Sequence, residues 1–378
     1  MAILIGMDEA GYGPNLGPLV VAATAWEVAE GAGGRGQGAG KAIRGATHAS
    51  ATALASSATT NLPQYDLYYA LRGVVSRAAS ERSIAIADSK ALYKPGQGLR
   101  LLERGVYGVL GAMGRAANCW SRIVDCCSAD PAGCHRQLCW HDGFDCALPV
   151  DATAEELAPL GERLARVCKK RGVRPLVMRA RFVFPAEFNE LTERFGSKGA
   201  ALSHVTVGLL REVVDGVREE YSVLSTQYPD PQRSAIAATT PHQSPAPSPQ
   251  PPVFAVCDKH GARNRYAALL QHHFPDDWIE PLVESAAESR YEWGPAEARM
   301  HVAFRVKGES FLPTALASMT AKYLRELSMR AFNEFWCARV PGLRPTAGYP
   351  MDAPRFKREI AALQRELGID DRLLWRNR

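Results

Sequence analysis

Carboxylates close three extended apolar runs in this chain. Asp8 and Glu9 end the run AILIGM, Asp258 ends VFAVC, and Glu309 follows HVAFRVKG. In open α/β sheets, functional groups gather just outside the carboxyl ends of neighbouring parallel strands. Strands ending at Asp8 and Asp258 would therefore set two carboxylates side by side. Glu309 comes shortly before Pro313, which suits the first turn of a following helix and puts a fourth acid at the rim of the same site. Clustered carboxylates repel one another, and without a cation some would stay protonated. Mg²⁺ and Mn²⁺ remove that conflict, because both prefer oxygen ligands and retain waters. Two such ions about 3.5–4 Å apart can activate a water and stabilise the leaving oxygen of a phosphodiester. Metal-assisted phosphodiester hydrolysis is thus the chemistry expected, with Asp8, Glu9, Asp258 and Glu309 as metal ligands and catalytic groups. One geometric condition attaches to it. Consecutive strand residues point to opposite faces, so Asp8 and Glu9 can share a site only if the backbone bends, as the glycines after them permit.

The elements that must position these acids follow from local pattern. AILIGM is a strand, AGYGPNLGP is turn chemistry, and LVVAATAWEV from Leu19 is a second, antiparallel strand. Helices are expected over Tyr65–Ala79, from about Leu99 to Ala117, from Ala200 to Tyr221 and from about Leu312 to Trp336. Strands are expected at residues 175–184 and 253–258 and in HVAFRVKGES. The tail holds a turn and a helix with a basic end. In the long helix Leu312, Leu316, Met319, Tyr323 and Leu327 form an apolar stripe, which reads as core. Residues 29–60 are Gly, Ala, Ser and Thr with little to bury, so they read as a flexible insertion. Residues 118–172 hold most of the cysteines and read as a Cys-rich insertion. Residues 226–252 include TTPHQSPAPSPQPP, a disordered or polyproline-type loop. The acids fall on both sides of that tract. If they form one site, the tract is a loop inserted in a single domain spanning 1–378, and long insertions of that kind cost little entropy.

Composition narrows the class. The chain has 378 residues, 46% of them hydrophobic and 22% charged, with a net charge of +5. That apolar content excludes global disorder, and the mild basicity permits an acidic partner such as nucleic acid. No apolar run approaches the roughly 18 residues of a membrane span. The first apolar run is short, lacks a basic flank and ends at Asp8-Glu9, unlike a signal peptide. The nine cysteines then read as reduced thiols of a cytoplasmic protein. Cysteines 119, 126, 127, 134, 139 and 146 lie near His135 and His141, but no C-x-x-C pair is present, which argues against zinc there.

Five segments, in order, resemble the type-2 ribonuclease H family (ribonuclease HII and its relatives). MDEAGYGPNLGPLVVAA resembles its opening D-E-A-G-R-G-P-x-x-G-P motif and ADSKAL its D-S-K-x-L segment. VFAVCD resembles the strand carrying its third catalytic aspartate. KGESFLPTALASMTAKYLREL resembles its K-G-D…A-A-S-I-x-A-K segment, and GYPMDAPRF its late G-Y segment. The matches cover about half of the chain. The resemblance implies a ribonuclease H-like α/β fold: a mixed five-stranded sheet whose first three strands are antiparallel, flanked by helices and carrying large insertions. It implies a two-metal endonuclease using Mg²⁺ or Mn²⁺. The substrate implied is the RNA strand of an RNA–DNA hybrid, or a ribonucleotide embedded in duplex DNA, and the product ends are 3′-hydroxyl and 5′-phosphate. Asp8, Glu9 and Asp258 match the first three catalytic acids, and Glu309 falls where the family has aspartate.

The substrate face can be read beside this. A hybrid is told from DNA through the 2′-hydroxyl, and close backbone approach to a sugar needs residues without side chains. Gly11 and Gly13 suit that role, in a loop with which the family contacts the 2′-hydroxyl. Between them Tyr12 stands where the family has Arg or Lys; it can stack on a sugar or base but cannot pair with a phosphate. Ser89 and Lys90 offer a hydroxyl, a cation and a helix N-terminus to a phosphate. Ser318, Lys322 and Arg325 share one helix face. Ser318 and Lys322 are expected to follow the phosphate backbone, and for Arg325 a solvated surface role is nearly as good a reading. KHGARNRY after Asp258 is a polar turn that could hold a phosphate or base, and Tyr349 is a further candidate contact. Two other readings stay open: a non-catalytic nucleic-acid binder on the same fold, and a related nuclease that cuts DNA.

Overall fold

β1 (Ala2–Ala10) and β2 (Leu19–Val28) are apolar on both faces, because both faces are covered. Ile3, Ile5 and Met7 enter one buried layer, whereas Ala2 and Leu4 enter the other. The computed structural model describes residues 1–31, 65–94, 96–130, 138–227 and 250–377. Most of the stretch 29–60, most of 226–252 and residues 131–137 of the Cys-rich stretch lie outside the described residues.

After β2 come α1 (Leu67–Ala70), β3 (Val75–Ser76), β4 (Ile84–Ala85), α2 (Ser89–Leu92), α3 (Arg100–Ala112), α4 (Trp120–Cys127) and α5 (Ala154–Arg171). The middle of the chain forms β5 (Val173–Val183), α6 (Pro185–Phe195), α7 (Lys198–Gln227), β6 (Val253–Asp258) and α8 (Ala267–His273). The last third forms β7 (Glu280–Glu284), β8 (Glu288–Trp293), β9 (Met300–Arg305), α9 (Leu312–Cys337), α10 (Ala353–Glu366) and α11 (Asp371–Leu374).

The main sheet runs β5-β2-β1-β6-β9-β8-β7. β2 is antiparallel to both of its neighbours, β5 and β1, and β1, β6 and β9 are parallel. This is the mixed, helix-flanked α/β sheet expected, with its first three strands antiparallel. The hairpin of β7 and β8 extends it from five strands to seven. Those two strands escape a sequence reading because charged residues interrupt both, as in EPLVE and ESRYEW.

Two local expectations need correction, and two are extended. Tyr65–Ala79 is no long helix: one turn, α1, gives way to Gly73 at φ +89° and then to β3. The helix expected to reach Ala117 stops at Ala112, just before Gly114 at φ +69°. Within 118–172, α5 is an amphipathic helix. Its N-cap Thr153 accepts a hydrogen bond from the Glu156 N–H, and Gly172 terminates it in the left-handed region. Finally, the apolar stripe of α9 is core as expected, in a helix that is buried nearly all round. Besides Leu312, Leu316, Met319, Tyr323 and Leu327, it buries Thr314, Ser318 and Arg325. A helix covered on every side is a central element of the core.

Polar anchors join the outer helices to this centre. The buried Glu103 carboxylate of α3 accepts hydrogen bonds from the Asp151 and Ala152 N–H groups (2.9 and 2.7 Å) and from the Tyr323 hydroxyl of α9 (3.1 Å). The carboxylate thereby ties residues 151–152 to the central helix.

Candidate active site

The register of β1 against β6 sets the site. Ile3 pairs with Val253 and Met7 with Cys257, so the next residues in step are Asp8 and Asp258. Both stand at the carboxyl ends of adjacent parallel strands, which lie about 4.8 Å apart. By strand alternation both point to the face covered by α9, the side that also takes Leu4 and Phe254. Glu9 leaves from the other face. β1 stays regular through Ala10, with Asp8 opposite Ala22 and Glu9 opposite Val21. The bend comes only at Gly11, at φ +87°, so the backbone does not meet the expected condition; the Glu9 side chain itself reaches the Asp8 carboxyl, with which it makes a side-chain hydrogen bond.

The start of α9 closes over these strand ends. Gly6 makes room for it: a Cβ there would lie 1.9 Å from the Thr314 nitrogen. The Thr24 hydroxyl of β2 donates to the Pro313 carbonyl (2.8 Å), and the Thr314 hydroxyl donates to the Val256 carbonyl of β6 (2.9 Å). Gly308 presses against Asp258, whose Oδ1 accepts its N–H (3.1 Å), and Lys307 before it sits at φ +61°. A non-glycine residue held in that region is strained and persists only where its surroundings impose it.

Electrostatics bind three of the four acids into one group. Asp8 is pushed well above the usual carboxylate range by burial, then by Glu9 and Asp258; the Ser318 hydroxyl and the Glu9 N–H pull the other way. The Glu9 N–H donates to Asp8 Oδ1 at 2.7 Å. Burial and Asp258 raise Glu9 to about 7, opposed by Lys90 and by a side-chain hydrogen bond with Asp8. Asp258 is raised by burial, against the N–H groups of Gly308 and Lys259 and the charge of Lys90. Burial opposes the Lys90 charge, but Asp88, Asp8, Asp258 and Glu9 together raise its pKa. One ammonium thus faces three clustered carboxyls.

Glu309 stands apart. It lies in a separate 3₁₀ turn, Gly308–Ser310, and not in the first turn of α9, which starts at Leu312. Its charge bears on the Tyr68 hydroxyl. Among the described residues, no three of the carboxylates of Asp8, Glu9, Asp258 and Glu309 have donor atoms that all lie within 4.8 Å of one another. That spacing is wider than a single ion's ligand shell.

The other candidates fall into place around the acids. Ser89 is buried and its hydroxyl meets that of Ser318 at 3.1 Å, so these two brace α2 against α9 beside Asp8. The cap of α2 is Asp88, which accepts the Lys90 N–H, not Ser89. The Lys322 ammonium is engaged by Glu326 at 2.6 Å and sits over the Tyr93 ring. Arg325 is no surface residue. It is 1% exposed, donates to the Ala347 carbonyl (3.0 Å) and packs against Gly11, where a Cβ would lie 2.4 Å from its Nε. Gly11 therefore presents its bare Cα to Arg325. Gly13 is exposed, with Tyr349 alongside, and Tyr12 and Tyr349 are 40% and 47% exposed. In the KHGARNRY turn, Lys259 and His260 are buried rather than superficial. Lys259 donates to the Ser285 and Ala286 carbonyls, and His260 Nδ1 meets the Ser203 hydroxyl at 2.9 Å.

One positioning residue has no signal in the sequence. Arg376 is fully buried and donates to the Gly17 carbonyl (2.9 and 2.5 Å) and to the Gly11 carbonyl (2.6 Å). It pins the glycine loop from 359 and 365 residues away, and no local pattern reports such a contact.

No family model and no curated protein matches this sequence. Among solved structures, ribonuclease H2 from Pyrococcus horikoshii OT3 is similar with a TM-score of 0.38 and 14% identity, over 98% of this chain and 92% of that one. Ribonuclease HII in a complex with PCNA from Archaeoglobus fulgidus is similar with a TM-score of 0.33 and 14% identity, over 100% of this chain and 96% of that one. No helix among the described residues is long and apolar enough to cross a membrane.

Proposed function

We propose that this protein is a divalent-metal-dependent endonuclease of the ribonuclease H type. Its substrate is the RNA strand of an RNA–DNA hybrid or a ribonucleotide within duplex DNA, and it leaves 3′-hydroxyl and 5′-phosphate ends. The observation that carries the reading is the pairing of Asp8 with Asp258 at adjacent parallel strand ends, with Glu9 coupled to both.

The donor set suits Mg²⁺ or Mn²⁺. It is all oxygen, and its carboxyls are raised in pKa by burial and, for Asp8 and Glu9, by repulsion from neighbouring acids, which a cation would relieve. Asp8, Glu9 and Asp258 would hold the ions, with Glu309 at the rim. Such ions, when bound, activate a water and stabilise the leaving oxygen of a phosphodiester. The chain's own groups do the rest. Lys90 supplies a cation beside the acids. Ser89 and Ser318 hold α2 and α9 together around Asp8. Gly13 leaves open backbone for a ribose, and Tyr12 and Tyr349 offer rings for stacking. Lys322, held by Glu326, is a poorer phosphate contact than its spacing suggests.

The test is cleavage of an end-labelled hybrid by the purified protein with Mg²⁺ or Mn²⁺. Asp8→Asn and Asp258→Asn are each expected to lower the rate at least about a hundredfold, since even outer partners of metal ligands are worth 10–100-fold. A hybrid that is bound but left intact by the wild type with both metals defeats the proposal. That outcome would favour a non-catalytic nucleic-acid binder, a reading supported by the spacing of the acids, no three of which bring donor atoms within 4.8 Å of one another. Continued cutting of an all-DNA duplex would favour a DNA nuclease.

A further inference from the structure

A second constellation lies on the opposite layer, where α7 meets α8. His204 projects from α7, and His272 and His273 close α8. Each offers one ring nitrogen, and these three atoms lie within 4.8 Å of one another. His204 Nδ1 and His273 Nε2 are 3.2 Å apart. Two nitrogens each about 2.0–2.1 Å from one tetrahedral ion are separated by about 3.3 Å, so this pair already has the spacing of a coordination edge. The rings are braced. His204 stacks on Phe195 at 3.7 Å between centroids with planes 9° apart, and a Cβ at Gly208 would lie 3.4 Å from His273 Cε1. Burial disfavours the charged form of both His204 and His273, and the neutral imidazole is the ligand form. Burial lowers His204, helped by His272, Arg263 and Arg194; burial, His204 and His272 lower His273 to about 4. His272 is exposed and leaves an approach from solvent.

We propose that His204, His272 and His273 form a site for a borderline-soft divalent transition-metal ion, with Zn²⁺ as the probe, and that the ion clips α8 onto α7. All-nitrogen donors select such ions over Mg²⁺, so this site and the carboxylates would not compete for the same metal. Ser203, next to His204, holds His260, which lies two residues beyond Asp258. The clip therefore secures the helix against which the turn after Asp258 is hydrogen-bonded.

The experiment is a calorimetric Zn²⁺ titration of the full chain carrying Asp8→Asn and Asp258→Asn, so that the acid cluster is weakened as a competing site. One equivalent is expected to bind. His272→Ala, at an exposed position, and His204→Gln are each expected to weaken that binding at least about tenfold. X-ray absorption of the Zn²⁺-loaded protein is expected to show nitrogen ligands. No Zn²⁺ binding, an affinity unchanged by His272→Ala, or a spectrum dominated by sulfur overturns the proposal.

Discussion

Glu9 concentrates the electrostatic tension of the acid cluster. It leaves the strand on the face opposite Asp8, yet burial and Asp258 raise it from 4.5 to about 7. An acid whose pKa is higher in the folded state holds its proton more tightly when folded. Its stabilising contribution is complete below about pH 4.5 and is lost as pH rises through about 7. For Glu9 this loss is on the order of 3 kcal/mol. We predict that the melting temperature of the metal-free protein falls across that window, and that Glu9→Gln flattens the fall. Added Mg²⁺ is expected to raise the melting temperature more at about pH 8 than at about pH 5, because the ion replaces the missing proton. A profile untouched by Glu9→Gln would contradict this. At this scale the sequence was informative where chemistry is local. Asp8 and Asp258 are legible because a carboxylate ending an apolar run is a local pattern. The burial of Arg325 was not legible: the helix spacing placed it with Lys322, and only α9's depth in the core separates the two.

Among the elements, α9 does most to shape the site, and Gly6 decides how closely it approaches. No element-level pattern marks Gly6, because a glycine inside a strand reads only as a weak position. Its reason is the helix lying against it, across about 300 residues of sequence. Gly6→Ala would force a Cβ into the backbone of Pro313 and Thr314. We predict a destabilisation on the order of 3 kcal/mol, read from the urea midpoint, because backbone cannot yield as a side chain does. A midpoint within experimental error of the wild type would show that α9 does not need that contact. The parallel strands β6 and β9 and the helices α7 and α9 were legible from apolar runs and helical periodicity. The hairpin β7–β8 was hidden by charged residues on its exposed edge. The helix expected over Tyr65–Ala79 shrinks to the single turn α1 because Gly73, inside the helical pattern, takes a left-handed conformation that ends it.

At the scale of the whole molecule, one sheet gathers acids separated by 250 residues, and strands on either side of the Pro/Ser-rich tract lie side by side in it. The same long-range closure fixes the glycine loop, through Arg376. Arg376→Met would strip two carbonyls of charged donors, and we predict a loss of about 2–4 kcal/mol in stability together with weaker hybrid binding. Unchanged stability by denaturant titration would refute that role. The proposed function makes one demand above all: that Asp8, Glu9 and Asp258 hold cations between them. The direct measurement is anomalous scattering from crystals soaked in Mn²⁺. Strong peaks are expected within ligand distance of Asp8 and Asp258, lost in the Asp258→Asn variant. Saturating Mn²⁺ that leaves no peak at these carboxylates would contradict it.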